Sequence, residues 1–313
     1  MVRRVGTGFP SPMSISDLLR RTRKRFGKPR FAALRYGDTT NLGDEIQTIA
    51  VLRFLPRVDM WADREELDRF TANRKHKIIL SGWFMHQPER WPPSKLLDPL
   101  IISFHLTNEI FGRYNKNGIS PSATVLGARG IEYLKRYEPI GARDLHTLQQ
   151  LRDAGVEAYF SGCLTLTLAL DNTPPRGDDV YAVNVSEEVI ASLARGYRGP
   201  VTALTHVTPV GADDKMQQAE ALLRKYASAH CIVTSRLHCA LPCLALGTPV
   251  LFIESARDRY RFDGLRDLLH TTSESGFLSN EASFDPNDPS PNGTGWREYR
   301  DRLIANCEEF VRR

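Results

Sequence analysis

The sequence lacks any long apolar run. No stretch reaches the roughly 20 consecutive apolar residues that span a bilayer, and the N-terminal region has no apolar core like that of a secretory signal peptide. These absences predict a cytoplasmic protein that does not cross a membrane. The composition still supports a large folded core, because 41% of the 313 residues are hydrophobic and 25% are charged. That length favours two domains over one.

A large excess of one charge is also missing. Lys and Arg number 42 against 37 for Asp and Glu, so the net charge is only +5 and nucleic acid is not an expected partner. The excess is concentrated in residues 1–30, where Asp17 is the only acid and apolar residues recur at helical spacing. We therefore expect a basic amphipathic helix there. A solvated helix is the favoured interpretation, and peripheral contact with an anionic membrane surface is the alternative.

Cysteine is scarce. The five cysteines are odd in number and lie mostly in apolar segments, which predicts reduced core thiols and excludes a disulfide framework. Cys239 and Cys243 stand four residues apart beside His238, a spacing that puts the two thiols on one helix face. Because no second ligand cluster lies at the spacing of a metal finger, we predict neither a metal nor a cofactor.

The common phosphate-binding loops are absent as well, since the chain has neither a P-loop nor a GxGxxG run. Short apolar runs alternate instead with helix-like stretches, which is the pattern of an α/β protein with buried parallel strands. The strand-like runs are residues 30–36, 77–80, 100–104, 123–127, 180–185, 200–204, 230–234 and 249–253.

A segment rich in Pro, Asp and Gly, residues 171–179, separates these runs into two groups. We predict two Rossmann-like domains facing across a cleft, the N-terminal one over residues 31–172 and the C-terminal one over residues 179–313. The second is expected to end in an amphipathic helix that begins near Trp296. Residues 271–295, dense in Ser, Asn, Pro and Gly, are predicted to form a surface loop.

Polar residues that follow the predicted strands are the candidate binding residues, because ligands of open parallel sheets lie beyond the carboxyl ends of the strands. Each has an ordinary structural interpretation as well, as a turn, an N-cap, a packed loop or a hydrogen-bonded core histidine. In the N-terminal half these residues are Asn41, Asp44, Gly82, His86 and His105.

Arg143 is predicted to lie in the first turn of a helix that ends at Gly155. A cation there is mildly unfavourable, because a helix N-terminus carries a positive partial charge. An anionic ligand or the neighbouring Asp144 would compensate it, and the sequence leaves both interpretations open.

Residues 234–250, TSRLHCALPCLALGTPV, are expected to pass from a strand into a helix capped by Thr234 or Ser235. The free N–H groups of that helix, its dipole and Arg236 would form a site for a phosphate or a carboxylate. His238 would stand beside this site as a proton carrier. The alternative is a basic pair held by nearby acidic side chains.

Three blocks resemble the polysaccharide pyruvyl transferase family: NLGDEIQT (41–48), ARDLHTLQQLRDAG (142–155) and the segment 234–250. The resemblance implies a two-domain fold of GT-B type. It also implies transfer of pyruvate from phosphoenolpyruvate onto two hydroxyls of a glycan sugar, with release of phosphate, in bacterial exopolysaccharide or cell-surface polysaccharide biosynthesis. The acceptor would be a glycan or a lipid-linked oligosaccharide.

The family motifs fall on residues that suit this donor. Phosphoenolpyruvate carries a phosphate and a carboxylate close together, so two arginines and a helix N-terminus match its charge. His238 is the candidate general acid or base, with Arg236 beside it. The donor-binding residues would be Arg143, Ser235, Arg236, Leu237 and His238, and the acceptor would be oriented by Asn41, Asp44, Gly82, His86 and His105.

Two other functions fit the same residues. A GT-B glycosyltransferase would use the cations to bind the diphosphate of a nucleotide sugar, and a non-catalytic protein of the same fold would bind a glycan or an anion without turnover.

Overall fold

The computed structural model describes residues 29–37, 39–110, 118–209, 214–254, 260–282 and 284–313. The basic helix predicted within residues 1–30 therefore lies almost wholly outside the described residues. None of the helices in the described ranges is long and apolar enough to cross a membrane.

Two parallel β-sheets form the framework of the described chain. The strands of the first sheet are β1 (Arg30–Arg35), β2 (Met60–Asp63), β3 (His76–Phe84), β4 (Leu97–Leu106), β5 (Ile140–Ala142) and β6 (Ala158–Phe160), in the order β2-β1-β3-β4-β5-β6. The strands of the second sheet are β7 (Val180–Val183), β8 (Val201–Leu204), β9 (Cys231–Thr234), β10 (Val250–Glu254) and β11 (His270–Ser273), in the order β11-β10-β9-β7-β8.

Helices connect these strands, as parallel pairing requires. Those in the first half of the chain are α1 (Leu42–Leu52), α2 (Pro121–Val125), α3 (Ala128–Lys135) and α4 (Leu145–Asp153). Those in the second half are α5 (Glu187–Gly196), α6 (Lys215–Ser228), α7 (Leu237–Leu246), α8 (Glu274–Leu278) and α9 (Trp296–Arg312). The chain is thus an α/β protein with two Rossmann-like parallel sheets, as the alternation of apolar runs predicted.

The central strands are apolar along their length because helices cover both faces of each sheet. All four residues of β7 and of β9 are buried, and the runs at 180–185, 200–204, 230–234 and 249–253 each contain a strand. All five cysteines are buried free thiols, which confirms their prediction as core residues.

Two secondary-structure predictions are wrong. Residues 123–127, predicted as a strand, belong largely to helix α2, because Ser120 accepts a hydrogen bond from the backbone N–H of Ala123 and Pro121 occupies the first helical position. The predicted loop 271–295 is regular in its first part, where strand β11 leads directly into α8. Ser273 caps that helix by accepting from the N–H of Gly276.

The last helix, α9, returns to the first sheet. Its buried face includes Leu303 and Cys307 and packs beside the 3₁₀ turn Leu164–Thr167. At its end the Lys77 ammonium on β3 donates to the carbonyl of Phe310 over 2.7 Å. The predicted amphipathic helix is therefore present, and it ties the end of the chain to the N-terminal half.

Residues 171–179 contain no helix or strand and are mostly exposed, as a linker would be. The two halves also meet directly at the start of α1. The N–H of Leu42 donates to the carbonyl of His206 over 2.8 Å, and the N–H of Thr208 donates to the carbonyl of Thr40 over 2.8 Å. Asn41 and Val207 form an isolated β-bridge between these bonds. The start of α1 is therefore held against the loop that follows β8.

Candidate active site

The N-terminus of α1 brings Asn41 and Asp44 to the junction of the two halves. Asn41 is the N-cap residue, and its side-chain oxygen accepts from the N–H of Gly43 over 3.2 Å. The Asp44 carboxylate is buried, accepts from the Thr39 hydroxyl over 2.9 Å and lies 3.8 Å from an Nη atom of Arg64. Both residues thus have the capping and ion-pairing roles that the sequence left open.

Gly43 lies directly against His238, which belongs to the other half of the chain. A Cβ atom at position 43 would be 3.0 Å from Nδ1 of His238, closer than real Cβ atoms normally approach a ring nitrogen. Glycine at this position therefore lets the first turn of α1 pack beside the first turn of α7.

The Nε2 atom of His238 is buried. It makes no hydrogen bond to any part of the chain that the structure describes. Burial lowers the pKa of His238 well below its ordinary value, and the positive charges of Arg143 and Arg261 lower it further. The ring is therefore neutral at neutral pH, in the form that accepts a proton.

Arg143 is the most deeply buried cation near His238. It lies between β5 and the N-cap residue Asp144, so the prediction that it belongs to the first turn of the helix is wrong. The residue is 1% exposed and has Nε and Nη1 atoms without hydrogen-bond partners among the described residues. The Asp144 carboxylate lies close to it, with Oδ2 3.8 Å from Nε. Burial lowers the pKa of the guanidinium, which nevertheless stays charged at neutral pH. A buried guanidinium with free N–H groups is costly unless an anion occupies them.

His105 and Asp144 form a buried pair beside Arg143. Nδ1 of His105 is 2.5 Å from Oδ2 of Asp144, and both side chains are 0% exposed. Burial and the charge of Arg143 lower the pKa of His105 to about 4. Burial raises the pKa of Asp144, but its interactions with His105 and Arg143 outweigh burial and hold that pKa below its ordinary value. Nε2 of His105 is buried and unpartnered within the described ranges.

The residues around the start of α7 have different environments. Leu237 is buried in the core, whereas Arg236 is exposed. The predicted cap at Thr234 or Ser235 is wrong, because Arg236 occupies the N-cap position and its N–H donates to the Thr234 hydroxyl over 3.0 Å. The Ser235 hydroxyl donates to the carbonyl of Asn184. Arg143 and Arg236 thus differ strongly in burial.

Gly82 lies within β3, which extends beyond the predicted strand 77–80, and His86 follows that strand. Gly82 has a φ of 133°, and a Cβ there would be 3.3 Å from Oε1 of Gln47. The His86 Nδ1 atom lies 3.3 Å from an Nη atom of Arg64 and 3.4 Å from the Glu65 carboxylate. Gly82 thus lies beside Gln47 of α1, and His86 lies beside Arg64 and Glu65.

Two functional candidates were not found from the sequence. Arg261, in the loop after β10, is close enough to His105 and His238 to lower the pKa of both. Arg64 is 2% exposed and lies over the rings of Tyr36 and Trp83, its guanidinium carbon 4.9 Å from each ring centroid. Neither residue belongs to a recognisable sequence motif. Arg64 directly follows strand β2, and its position after a strand could have identified it as a candidate.

The structure therefore brings His105, Arg143 and His238 together and places Arg236 at the surface. Fold and site define an α/β protein with a buried cationic site at the carboxyl ends of parallel strands. Comparison with known families is more specific. A profile of polysaccharide pyruvyl transferases matches residues 41–257, so the chain belongs to the polysaccharide pyruvyl transferase family.

A search of curated proteins finds no match. Among solved structures, the chain is similar to the functionally uncharacterised protein KP1_0663 from Klebsiella pneumoniae subsp. pneumoniae NTUH-K2044. The two share 12% identity with a TM-score of 0.43, over 74% of this chain and 87% of the other. Family membership makes the protein a pyruvyltransferase that modifies a polysaccharide, which confirms the resemblance seen in its motifs.

Proposed function

We propose that the protein transfers pyruvate from phosphoenolpyruvate to two hydroxyls of a glycan sugar, forming a ketal and releasing phosphate. The observation that carries the proposal is the convergence of His105, Arg143 and His238, each with a buried polar atom that has no hydrogen-bond partner in the described chain. Buried polar groups are normally satisfied. A bound substrate that supplies anionic oxygens would satisfy these.

The donor would lie between the two halves. The free N–H groups of Arg143 suit a carboxylate or phosphate oxygen, and each charge-assisted hydrogen bond contributes roughly 1.5–3 kcal/mol. Arg236, Ser235 and the N-terminus of α7 would contact the donor from the solvent side. Arg261 adds positive charge within reach of the same histidines.

His238 would act as the general acid and base. In the free protein, burial and two neighbouring guanidinium groups keep its ring neutral. A bound trianionic donor offsets those cations, so it raises the pKa of His238 and favours its protonation. Protonated His238 would then deliver a proton to the methylene carbon of the donor, which leaves an oxocarbenium-like carbon for the sugar hydroxyl to attack.

The acceptor would approach from the N-terminal half, where Asn41, Asp44, Gly82 and His86 surround the start of α1. The two sheets would act as the domains of a GT-B fold, with the acceptor and donor meeting in the cleft between them. We place the reaction in the cytoplasm, in bacterial exopolysaccharide or cell-surface polysaccharide synthesis. A lipid-linked oligosaccharide acceptor would give the basic residues 1–30 a peripheral role at the membrane surface.

A thermal-shift comparison of donors tests the proposal. Phosphoenolpyruvate should raise the melting temperature progressively as its concentration increases above its dissociation constant, because it binds only the folded protein. Nucleotide sugars should leave the melting temperature unchanged. Stabilisation by a nucleotide sugar alone would instead support the glycosyltransferase hypothesis. Stabilisation by phosphoenolpyruvate, with no phosphate released when glycans are added, would indicate a binding protein.

A further inference from the structure

We propose that His105 is a second catalytic residue, whose Nε2 atom removes the proton from an acceptor hydroxyl while Asp144 holds the ring in the tautomer that can accept it. This inference rests on the proposed function and divides its proton transfers between two histidines. It gives His105 a role in the chemistry beyond orientation of the acceptor.

The His105–Asp144 pair fixes the tautomer. A carboxylate can only accept a hydrogen bond, so the 2.5 Å contact requires the proton of neutral His105 to lie on Nδ1. Asp144 is held in turn as the N-cap residue of α4, where it accepts from the N–H of Thr147 over 2.8 Å. The lone pair of His105 is therefore on Nε2.

The surroundings of Nε2 are those of a base beside an electrophile. The atom is buried and has no hydrogen-bond partner in the described ranges, and buried polar atoms are normally satisfied. Arg143 and Arg261 act on the ring electrostatically, and the Tyr260 ring is stacked near it with a centroid distance of 6.4 Å. These cations keep His105 neutral and bind the donor next to it.

The proton balance calls for two groups. As His238 gives its proton to the methylene carbon, the first hydroxyl attacks and must lose its own proton, which His238 cannot accept at that moment. His105 accepts it as the new C–O bond forms. The C–O bond to phosphate then breaks with its electron pair on phosphate, which takes the proton from His105. The second hydroxyl attacks and returns its proton to His238, so both histidines regain their starting states and hydrogen phosphate leaves.

Two substitutions test this division. His105→Gln should lower kcat by on the order of 100-fold or more, with phosphoenolpyruvate affinity within about threefold of the original. In Asp144→Asn the amide oxygen can still accept the hydrogen bond from the N–H of Thr147. The amide NH₂ group, however, can donate to Nδ1 of His105, which moves the imidazole proton to Nε2. We expect a similar fall in kcat with unchanged or tighter donor binding, because a carboxylate beside the anion has been removed.

Matched controls separate chemistry from folding. His76→Gln replaces a buried histidine at the opposite end of the sheet, and Asp153→Asn makes the Asp144 change at the other end of α4. Both should keep wild-type kcat. ¹⁵N-edited NMR of the unmodified protein should show His105 protonated on Nδ1, the tautomer that the role requires, and Asp144→Asn tests the role if His105→Gln does not fold.

The outcomes are distinct. If His105→Gln turns over within about fivefold of wild type, or if the NMR spectrum shows the Nε2–H tautomer, the role of His105 is overturned and the pyruvyl transfer stands. If the unmodified protein neither binds phosphoenolpyruvate nor releases phosphate from it with any glycan, the proposed function and this inference both fall.

Discussion

Gly43 and His238 belong to different halves of the chain, yet a Cβ atom on Gly43 would stand 3.0 Å from Nδ1 of His238. The contact positions the imidazole at the junction of the two sheets. It also explains how the NLGD block near the first strand and the Arg-Leu-His block late in the chain can serve one site.

Gly43→Ala should therefore separate activity from stability. Alanine favours a helix by about 1 kcal/mol relative to glycine, which offsets the strain of the new contact, so the free energy of unfolding should change by less than about 1 kcal/mol. Turnover should fall on the order of 10-fold to 100-fold because His238 is displaced. Gly196→Ala, in helix α5 with no atom within 4 Å of the added Cβ, is the control. Gly196→Ala should stabilise the protein and leave turnover unchanged. Equal turnover in Gly43→Ala and Gly196→Ala would show that the contact between Gly43 and His238 does not position the imidazole.

Arg143→Met should weaken donor binding without unfolding the protein. The Nε and Nη1 atoms of Arg143 have no partners in the described chain, so their removal costs few interactions, and the variant should melt at or above the wild-type temperature. Affinity for phosphoenolpyruvate, measured by calorimetry, should fall by about tenfold or more. Arg152→Met on α4 should keep the wild-type affinity. Undiminished donor binding by Arg143→Met would remove Arg143 from the site.

Acid should destabilise the protein through His105. Its pKa is about 4 in the folded state, where burial and Arg143 lower it, against about 6.5 in an unfolded chain. Between these values the unfolded chain binds more protons, so stability falls as the pH decreases from 6.5 to 4, by about 3 kcal/mol in total. Urea unfolding at several pH values measures the slope. His105→Gln should reduce the slope, to which His238 also contributes, and His270→Gln, at an exposed position, should leave it unchanged. A slope unaffected by His105→Gln would contradict the assignment.

Leu303→Ala tests the return of helix α9 to the first sheet. Leu303 is 1% exposed, and truncation of a buried leucine costs about 2–5 kcal/mol. Arg302→Ala, at the exposed neighbouring position, should change the free energy of unfolding by less than about 0.5 kcal/mol. Chemical denaturation of the two variants gives the comparison, and similar values for both would show that the helix does not contribute to the core.

Local patterns in the sequence predicted much of the fold. The buried strands β7, β9 and β10 are continuous apolar runs, and such runs are recognisable without knowledge of the partner strands. The segment 123–127 has the same local appearance, but Ser120 and Pro121 initiate a helix there. Apolar composition alone does not distinguish a short buried strand from a short buried helix, so the flanking cap decided the outcome.

The candidate site was predicted in part. Arg143, His105 and His238 were identified because each was expected just beyond the carboxyl end of a strand. Arg143 does follow β5 and His238 lies in the first helical turn after β9, whereas β4 extends further than predicted and His105 lies within its last two residues. The pairing of His105 with Asp144 depends on a contact between β4 and the start of α4, and the influence of Arg261 on His238 depends on the path of a loop after β10. Neither relationship has a local signature, because each is set by tertiary packing.

The most direct measurement is phosphate release from phosphoenolpyruvate with a panel of bacterial glycans, together with the mass of the acceptor. We predict release that depends on the glycan, one phosphate for each acceptor that gains the mass of pyruvate less one water, and no release by His238→Ala. No release with any glycan, while a nucleotide sugar is consumed at the same site, would contradict the account.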